Sequence, residues 1–261
     1  MDFTGKVVAI TGAAGGIGQA LCRHIGGQGA VIAALDRSEA VTDLIPTLAG
    51  EGIKAEGWVV DITDADGVAA AFGAAEKALG PVDVLVNNAG SSLKSNLEQT
   101  TPETWKADVD GNLNGTYYCT YAVLPSMKAR RSGAIVNIGS VNGLSTFGDP
   151  AYSAGKAGMI SMTKALAMEY GRFGIRANIV CPGTVRTPIW EHRVARNPEI
   201  LEELGKWYPL GRVVDPIDIA RAVGFLASDS AAAITGAVLP VDCGLTAGNI
   251  VMTRELTLEE F

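Results

Sequence analysis

Seven short apolar runs, at 6–11, 30–36, 53–60, 82–87, 134–140, 176–182 and 238–241, alternate along the chain with longer stretches whose apolar residues follow helical spacing. A run of four to eight apolar or β-branched residues suits a strand covered on both faces, and strands separated by helices pair in parallel. The expected architecture is α/β: one doubly wound sheet of seven parallel strands with helices on both faces. Helices are predicted over 17–27, 64–78, 102–130, 151–170 and 215–227. No linker, repeat or low-complexity segment breaks the pattern, so 1–261 reads as one domain. The least regular stretch, 183–212, carries Pro188, Pro198 and Pro209 among Trp190, His192 and Trp207. An insertion of that length between strands is predicted to cover a site.

The first run ends in Thr11-Gly12-Ala13-Ala14-Gly15-Gly16-Ile17-Gly18 and passes directly into a helical pattern. Gly12 permits a tight turn, Gly16 lets backbone approach a pyrophosphate, and Gly18 lets strand and helix pack closely, with helix-terminal amides facing the anion. The spacing, Gly-x-x-x-Gly-x-Gly, departs from Gly-x-Gly-x-x-Gly, but a strand before and a helix after make the fold Rossmann-like. Asp36 closes the second run 24 residues beyond Gly12, near the distance at which a carboxylate meets the adenosine ribose hydroxyls. A carboxylate there repels a 2′-phosphate, so NAD is the expected cofactor. Arg37, able to pair with a phosphate, keeps NADP as the second candidate. Asp36 also suits a turn before Ser38. Asp61 and Ile62, closing the third run, are expected beside the adenine, although Asp61 also suits a cap for the helix that follows.

The charge balance excludes several classes. With 21 basic against 28 acidic residues and a formal charge of −7, the chain lacks the clustered cations that a nucleic-acid surface requires. Lys128, Arg130 and Arg131 form the one dense basic group and read as a solvated helix end. No apolar stretch approaches the roughly 18 residues of a membrane span, and the N-terminus lacks the build of a secretory signal. Four widely spaced cysteines point to buried thiols in a reducing cytoplasm rather than to disulfides. Two histidines and no Cys-x-x-Cys pair make a metal-free mechanism the expectation.

Ser140 ends the fifth run, and Tyr152 and Lys156 stand four residues apart at a helix start, on one face. A phenol titrates near pH 10. An ammonium beside it favours the phenolate and makes it usable as an acid or base closer to neutrality. A single Tyr-x-x-x-Lys pair carries little weight, because chance supplies such pairs readily; the combination with other motifs carries more.

Thr11 to Gly18, Asn87-Asn88-Ala89-Gly90, Asn112, Ser140, Tyr152-Ser153-Ala154-Gly155-Lys156 and Pro182-Gly183 together resemble the short-chain dehydrogenase/reductase family, in its order and over almost the whole chain. The resemblance implies an oxidoreductase moving hydride between a nicotinamide dinucleotide and an alcohol or carbonyl carbon. It assigns Tyr152 as acid/base, Ser140 as hydrogen-bond donor to the reacting oxygen, and Lys156 as holder of the nicotinamide ribose that lowers the Tyr152 pKa. Asn112 would anchor a water leading from Lys156 to solvent. It also implies that Asn88, with Ala89 and Gly90, touches the cofactor, that Asn87 ties strands together, and that Pro182, Gly183, Val185 and Thr187 bind the nicotinamide carboxamide. Gly111 departs from the β-branched residue usual before the asparagine, which is expected to loosen the helix bend.

For the substrate pocket, Ser140, Asn142, Ser145 and Phe147 are expected on one side and Trp190, His192, Arg193 and Trp207 on the other. Hydrogen-bonding and stacking side chains of this kind suit a sugar, sugar acid or polyol, with a secondary alcohol, ketone, hemiacetal or lactone as the reacting group. The alternative is a 3-oxoacyl thioester reductase using NADPH, for which Arg130 and Arg131 offer a thin docking surface to an acidic carrier. A nucleotide-binding protein without turnover is disfavoured because every catalytic residue type is present. A homotetramer is expected, with helices 102–130 and 151–170 paired across a two-fold axis through Ala154, Gly155, Ala157, Gly158, Ala165 and Ala167. The tail 249–261, apolar only at Leu256, Leu258 and Phe261 in its last part, is expected to reach a neighbouring subunit or to fray.

Overall fold

The structure, a computed structural model, describes residues 1–259, so Phe261 of the tail lies outside the described residues. Seven strands form a single parallel sheet: β1 (Val7–Thr11), β2 (Val31–Asp36), β3 (Ala55–Val59), β4 (Val84–Asn87), β5 (Gly133–Ile138), β6 (Ile175–Pro182) and β7 (Val238–Val241), in the order β3-β2-β1-β4-β5-β6-β7. Every run read as a strand is one, with ends shifted by at most two residues. The central strands are buried on both sides, and successive residues go to opposite faces. Val8 and Ile10 of β1 join Ile32 and Ala34 of β2 in one core, while Val7 and Ala9 join Ala33 and Leu35 in the other.

Helices α1 (Gly16–Gly26), α2 (Ala40–Gly50) and α9 (Pro216–Ala227) cover the first core; α3 (Ala65–Leu79), α5 (Gly115–Arg130) and α6 (Pro150–Tyr170) cover the second. Asp64 caps α3 by accepting the Asp66 amide, and Asp215 opens α9 with a reciprocal capping box and Pro216 in the first turn. Pro240 sits in β7, an edge strand, where a missing amide costs no interior ladder bond.

Four segments differ from expectation. Helix α2 was not foreseen: Pro46 lies inside it, yet Val41, Leu44 and Leu48 at helical spacing are buried and hold it to the sheet. The stretch 102–130 is α4 (Pro102–Val109), a π-helical turn (Asp110–Asn114) and α5, rather than one uninterrupted α-helix. The insertion after β6 contains two short helices, α7 (Glu191–Val194) and α8 (Ile200–Leu204), and the tail forms α10 (Ile250–Thr257). The chain order reverses between β1 and β4, which opens a crevice at the strand C-termini where α/β sheets take ligands.

Candidate active site

The glycine turn lies at that crevice. Gly12 has φ of +65°, and a Cβ there would stand 2.8 Å from Ala89 Cα; at Gly18 a Cβ would stand 2.0 Å from the Gly12 carbonyl oxygen. Neither position admits a side chain without moving backbone. Gly15, the N-cap of α1, offers no side-chain acceptor, so the first amides of an 11-residue helix remain turned toward the crevice. This cradle fits a pyrophosphate.

The turn is held from both sides. Asp36 Oδ2 accepts the Ala14 amide at 3.0 Å while its Oδ1 accepts the Ser38 amide at 2.9 Å, so this carboxylate shapes the turn at the end of β2 and also braces the glycine turn. From β4, Asn88 Nδ2 donates to the carbonyls of Thr11 and Gly12, and Thr11 Oγ1 accepts the amides of Asn88 and Ala89. Asn87 ties β4 to β5 and α5 through Asn137 and Thr120. Arg37 and Asp61 are exposed at the outer end of the crevice. The Thr63 amide, with a lesser contribution from Arg37, holds the Asp61 carboxyl below its usual range. Asp61 thus braces the turn to Thr63 while facing Arg37, and Ile62 packs against Gly115.

Ser140, Tyr152 and Lys156 converge at the end of β5. Ser140 Oγ accepts the Asn142 amide at 3.1 Å and lies near enough to the Tyr152 hydroxyl to favour its ionised form. Lys156 is buried; its Nζ donates to the Ile138 carbonyl at 2.7 Å and stands 5.5 Å from the Tyr152 ring centroid. Burial brings the Lys156 ammonium down to about 8. The expected lowering of the phenol by this ammonium is corrected: burial raises Tyr152 above its ordinary value, the Ser140 hydrogen bond opposes the rise, and Asp149, Cys181 and Asp108 add to it. Desolvation wins because the ammonium is directed to the Ile138 carbonyl and overlies the ring.

Asn112 is fully buried in the π-turn, where Nδ2 donates to Ser91 and Asp108 carbonyls at 2.7 and 2.8 Å. Its Oδ1 has no partner among the described residues. A Cβ built on Gly90 would stand 2.5 Å from that oxygen and 3.2 Å from Lys156 Nζ, so both polar atoms face the bare backbone of Gly90. The arrangement has the polarity of a proton path from Lys156.

Beyond β6, Pro182 and Gly183 lead into a segment pinned at several points. The Gly183 amide donates to the Val241 carbonyl, Val185 forms a parallel bridge with Val214, and Thr187 reaches the phosphate turn, where a Cβ on Gly16 would meet its Cγ2 at 2.9 Å. The segment therefore runs from the catalytic strand ends to the N-terminus of α1.

A cleft of 470 Å³ is lined by Leu144, Ser145, Phe147, Trp207, Leu245, Thr246, Gly248 and Asn249; Ser140, Tyr152 and Lys156 are not among its lining, and the chain reaches it from Ser140 through the loop that carries Leu144 to Phe147. Ser145, Phe147 and Trp207 were expected there. Trp190, His192 and Arg193 are not part of this wall: Trp190 packs with Leu201, Tyr208 and Val213 beneath the Arg193 guanidinium, which lies 4.5 Å from its ring, and His192 is exposed beside the Ile189 carbonyl. Asn142 bonds the Gly148 carbonyl and Ser153 Oγ, bracing its own loop. The C-terminal wall, Leu245 to Asn249, was missed. Asp242 builds it: this buried carboxylate accepts the amides of Gly244 and Thr246 and the Thr246 hydroxyl. Its place at the end of the last strand was the available signal.

Comparison with known proteins agrees in scale. Residues 12–246 match the family profile described as Enoyl-(Acyl carrier protein) reductase. The chain is 43% identical over 260 residues to an uncharacterized oxidoreductase, C922.06, of Schizosaccharomyces pombe, covering 99% of this chain and 98% of that one. It is 39% identical to the oxidoreductase UcpA of Escherichia coli strain K12, covering 94% and 95%. Among solved structures, an oxidoreductase of the short chain dehydrogenase/reductase family from Burkholderia thailandensis superposes with a TM-score of 0.93 at 53% identity, covering 98% of each chain.

Proposed function

The chain belongs to the short-chain dehydrogenase/reductase family of NAD(P)-dependent oxidoreductases, and on that premise we propose that it oxidises a secondary alcohol of a small sugar or polyol with NAD, or runs the reverse reduction. The observation that carries the reaction type is the convergence of Ser140, Tyr152 and Lys156 beside the phosphate cradle. The cleft supports the substrate class, since hydroxyl and amide groups of Ser145, Thr246 and Asn249 stand among the aromatic faces of Phe147 and Trp207. None of the described residues lining it is cationic, which favours a neutral polyol or sugar over a sugar acid.

Gly12, Gly16, Ile17 and Gly18 would hold the pyrophosphate, Asp36 the adenosine ribose, Asp61 and Ile62 the adenine, and Asn88, Ala89, Gly90, Pro182, Gly183, Val185 and Thr187 the nicotinamide half. When bound, the nicotinamide supplies the hydride acceptor or donor. Tyr152 Oη takes the proton of the substrate hydroxyl during oxidation and returns it during reduction. Ser140 Oγ donates to the same oxygen as charge develops on it. Lys156 Nζ would hand the proton to a water held by Asn112 Oδ1 beside Gly90, and that water would pass it on toward solvent.

A second reading, reduction of a carrier-bound 3-oxoacyl thioester with NADPH, lacks support at its expected docking surface. Arg130 pairs with Asp83 at 2.8 Å and donates to the Val82 carbonyl, and Arg131 donates to the Arg172 carbonyl. The test is a survey of NAD- and NADP-linked turnover over sugars, polyols and keto compounds, including 3-oxoacyl thioesters. The expected result is NAD-linked oxidation of a polyol or sugar, with Tyr152→Phe lowering kcat by about 10²- to 10⁴-fold. Faster NADPH-linked reduction of the thioester would overturn the substrate reading, and full turnover in Tyr152→Phe would overturn the mechanism.

We further infer a cytoplasmic homotetramer paired through α5 and α6. Ala154, Ala157, Ser161, Ala165 and Met168 form an exposed stripe on α6, and Tyr117 and Tyr121 are exposed on α5. Gly155 and Gly158, expected in that interface, instead face inward against Asn112 and Leu113. The four cysteines are free, as a reducing compartment would leave them.

A further inference from the structure

Tyr208 has no part in the assignments above. It closes the insertion that follows β6, and it is buried. Its ring packs with Leu201 and Val213, and around them stand Trp190, Val194, Ile200 and Leu204. Its hydroxyl leaves this apolar cluster and accepts the Thr184 amide at 3.0 Å. A Cβ on Gly183 would stand 3.1 Å from Tyr208 Cε1 and 3.2 Å from Asp242, so the ring edge and the last strand clamp the chain at that glycine. The neighbouring Thr184 carbonyl accepts the Val214 amide, and the Arg186 amide donates to the Val214 carbonyl. Residues 183–186 are thereby fixed to the returning arm of the insertion, with Tyr208 as the one side-chain acceptor among these bonds.

We propose that Tyr208 is a positioning residue, whose hydroxyl holds residues 183–187 in the conformation that receives the nicotinamide half of the cofactor. The proposal rests on the functional reading above, which places that half against this segment. The physical argument is directional. The Thr184 amide is a strong donor that must be satisfied, and the phenol oxygen fixes where it points. Without that acceptor the peptide plane is free to turn, and the backbone groups of Gly183 and Val185 lose their common orientation. The phosphate turn, Asp36 and α1 lie on other elements and keep theirs.

The test compares two ligands in Tyr208→Phe, which retains the ring and its packing. Calorimetric binding is measured for the reduced dinucleotide the wild type prefers, NADH or NADPH, and for the matching ADP-ribose or 2′-phospho-ADP-ribose, which lack nicotinamide. The expected result is binding of the full dinucleotide weakened about tenfold, the loss of one oriented hydrogen bond, with the truncated ligand unchanged within about twofold. Turnover should show a lower kcat alongside the raised cofactor KM. Equal weakening of both ligands would mean a general structural role and would overturn the proposal, as would no change in either. A wild type that binds neither dinucleotide would overturn the functional reading itself and the proposal with it.

Discussion

Asp149 adds to a shift that burial makes at Tyr152. It precedes α6 in the left-handed region, with φ of +49°, one turn before Tyr152. Burial is the main cause of the raised Tyr152 pKa, and the Asp149 carboxylate adds to it by disfavouring a second negative charge nearby. Oxidation needs the phenolate, so kcat/KM for the alcohol should still be climbing on the alkaline side of neutrality. Removing the Asp149 charge makes the phenolate easier to form, and Asp149→Asn should therefore move the rising limb of the pH–rate profile to lower pH. An unmoved limb would show that the carboxylate does not reach the phenol. At this scale the juxtaposition of Tyr152 and Lys156 was legible because they are local neighbours on one helix. The pKa direction was not, since it depends on how much of the strand-end pocket closes over the phenol. Trp190 misled for a related reason: an aromatic in an irregular segment resembles a ligand contact, whereas here it fills the inside of the insertion.

Among elements, the π-turn between α4 and α5 carries the most information. Five residues, Asp110 to Asn114, make the wider turn that turns Asn112 inward and leaves its Oδ1 without a partner among the described residues. Periodicity does not reveal such a turn, because one extra residue in a 29-residue pattern shifts the helical phase without breaking the apolar face. The glycine at 111 suggested a loosened bend. In the structure a Cβ there meets nothing within 4 Å, and its backbone is helical. Gly111→Ala should therefore stabilise the protein by about 0.5–1 kcal/mol through the reduced freedom of the unfolded chain, measured as a higher urea midpoint with unchanged slope. A lower midpoint would show that the π-turn needs glycine. Helix α2 went unnamed in the sequence although Val41, Leu44 and Leu48 stand at helical spacing; burial of that triplet holds the helix to the sheet with Pro46 inside it.

For the whole molecule, the seven strands and their doubly wound parallel sheet were readable from apolar runs alternating with helical stretches, whereas the strand order β3-β2-β1-β4-β5-β6-β7 came from the structure. What also lay outside the sequence was surface: which exposed side chains await a partner. Tyr121 and Met168 remain 64% and 78% exposed beside the small residues of α6. Multi-angle light scattering at micromolar concentration should give four times the monomer mass. Replacing Ala157 and Ala165 by Glu should give smaller species with folded circular dichroism; a wild-type monomer would refute the assembly. The insertion between β6 and α9 has a consequence of another kind. Trp190, Val194, Ile200, Leu201, Leu204, Tyr208 and Val213 pack against one another, joined among the described residues by Cys243 and Leu245, while Val185 and Val214 anchor its two ends in the core of the sheet. A cover with its own oily interior holds its shape apart from the sheet, so a side chain lost from that interior softens the cover and leaves the strands as they were.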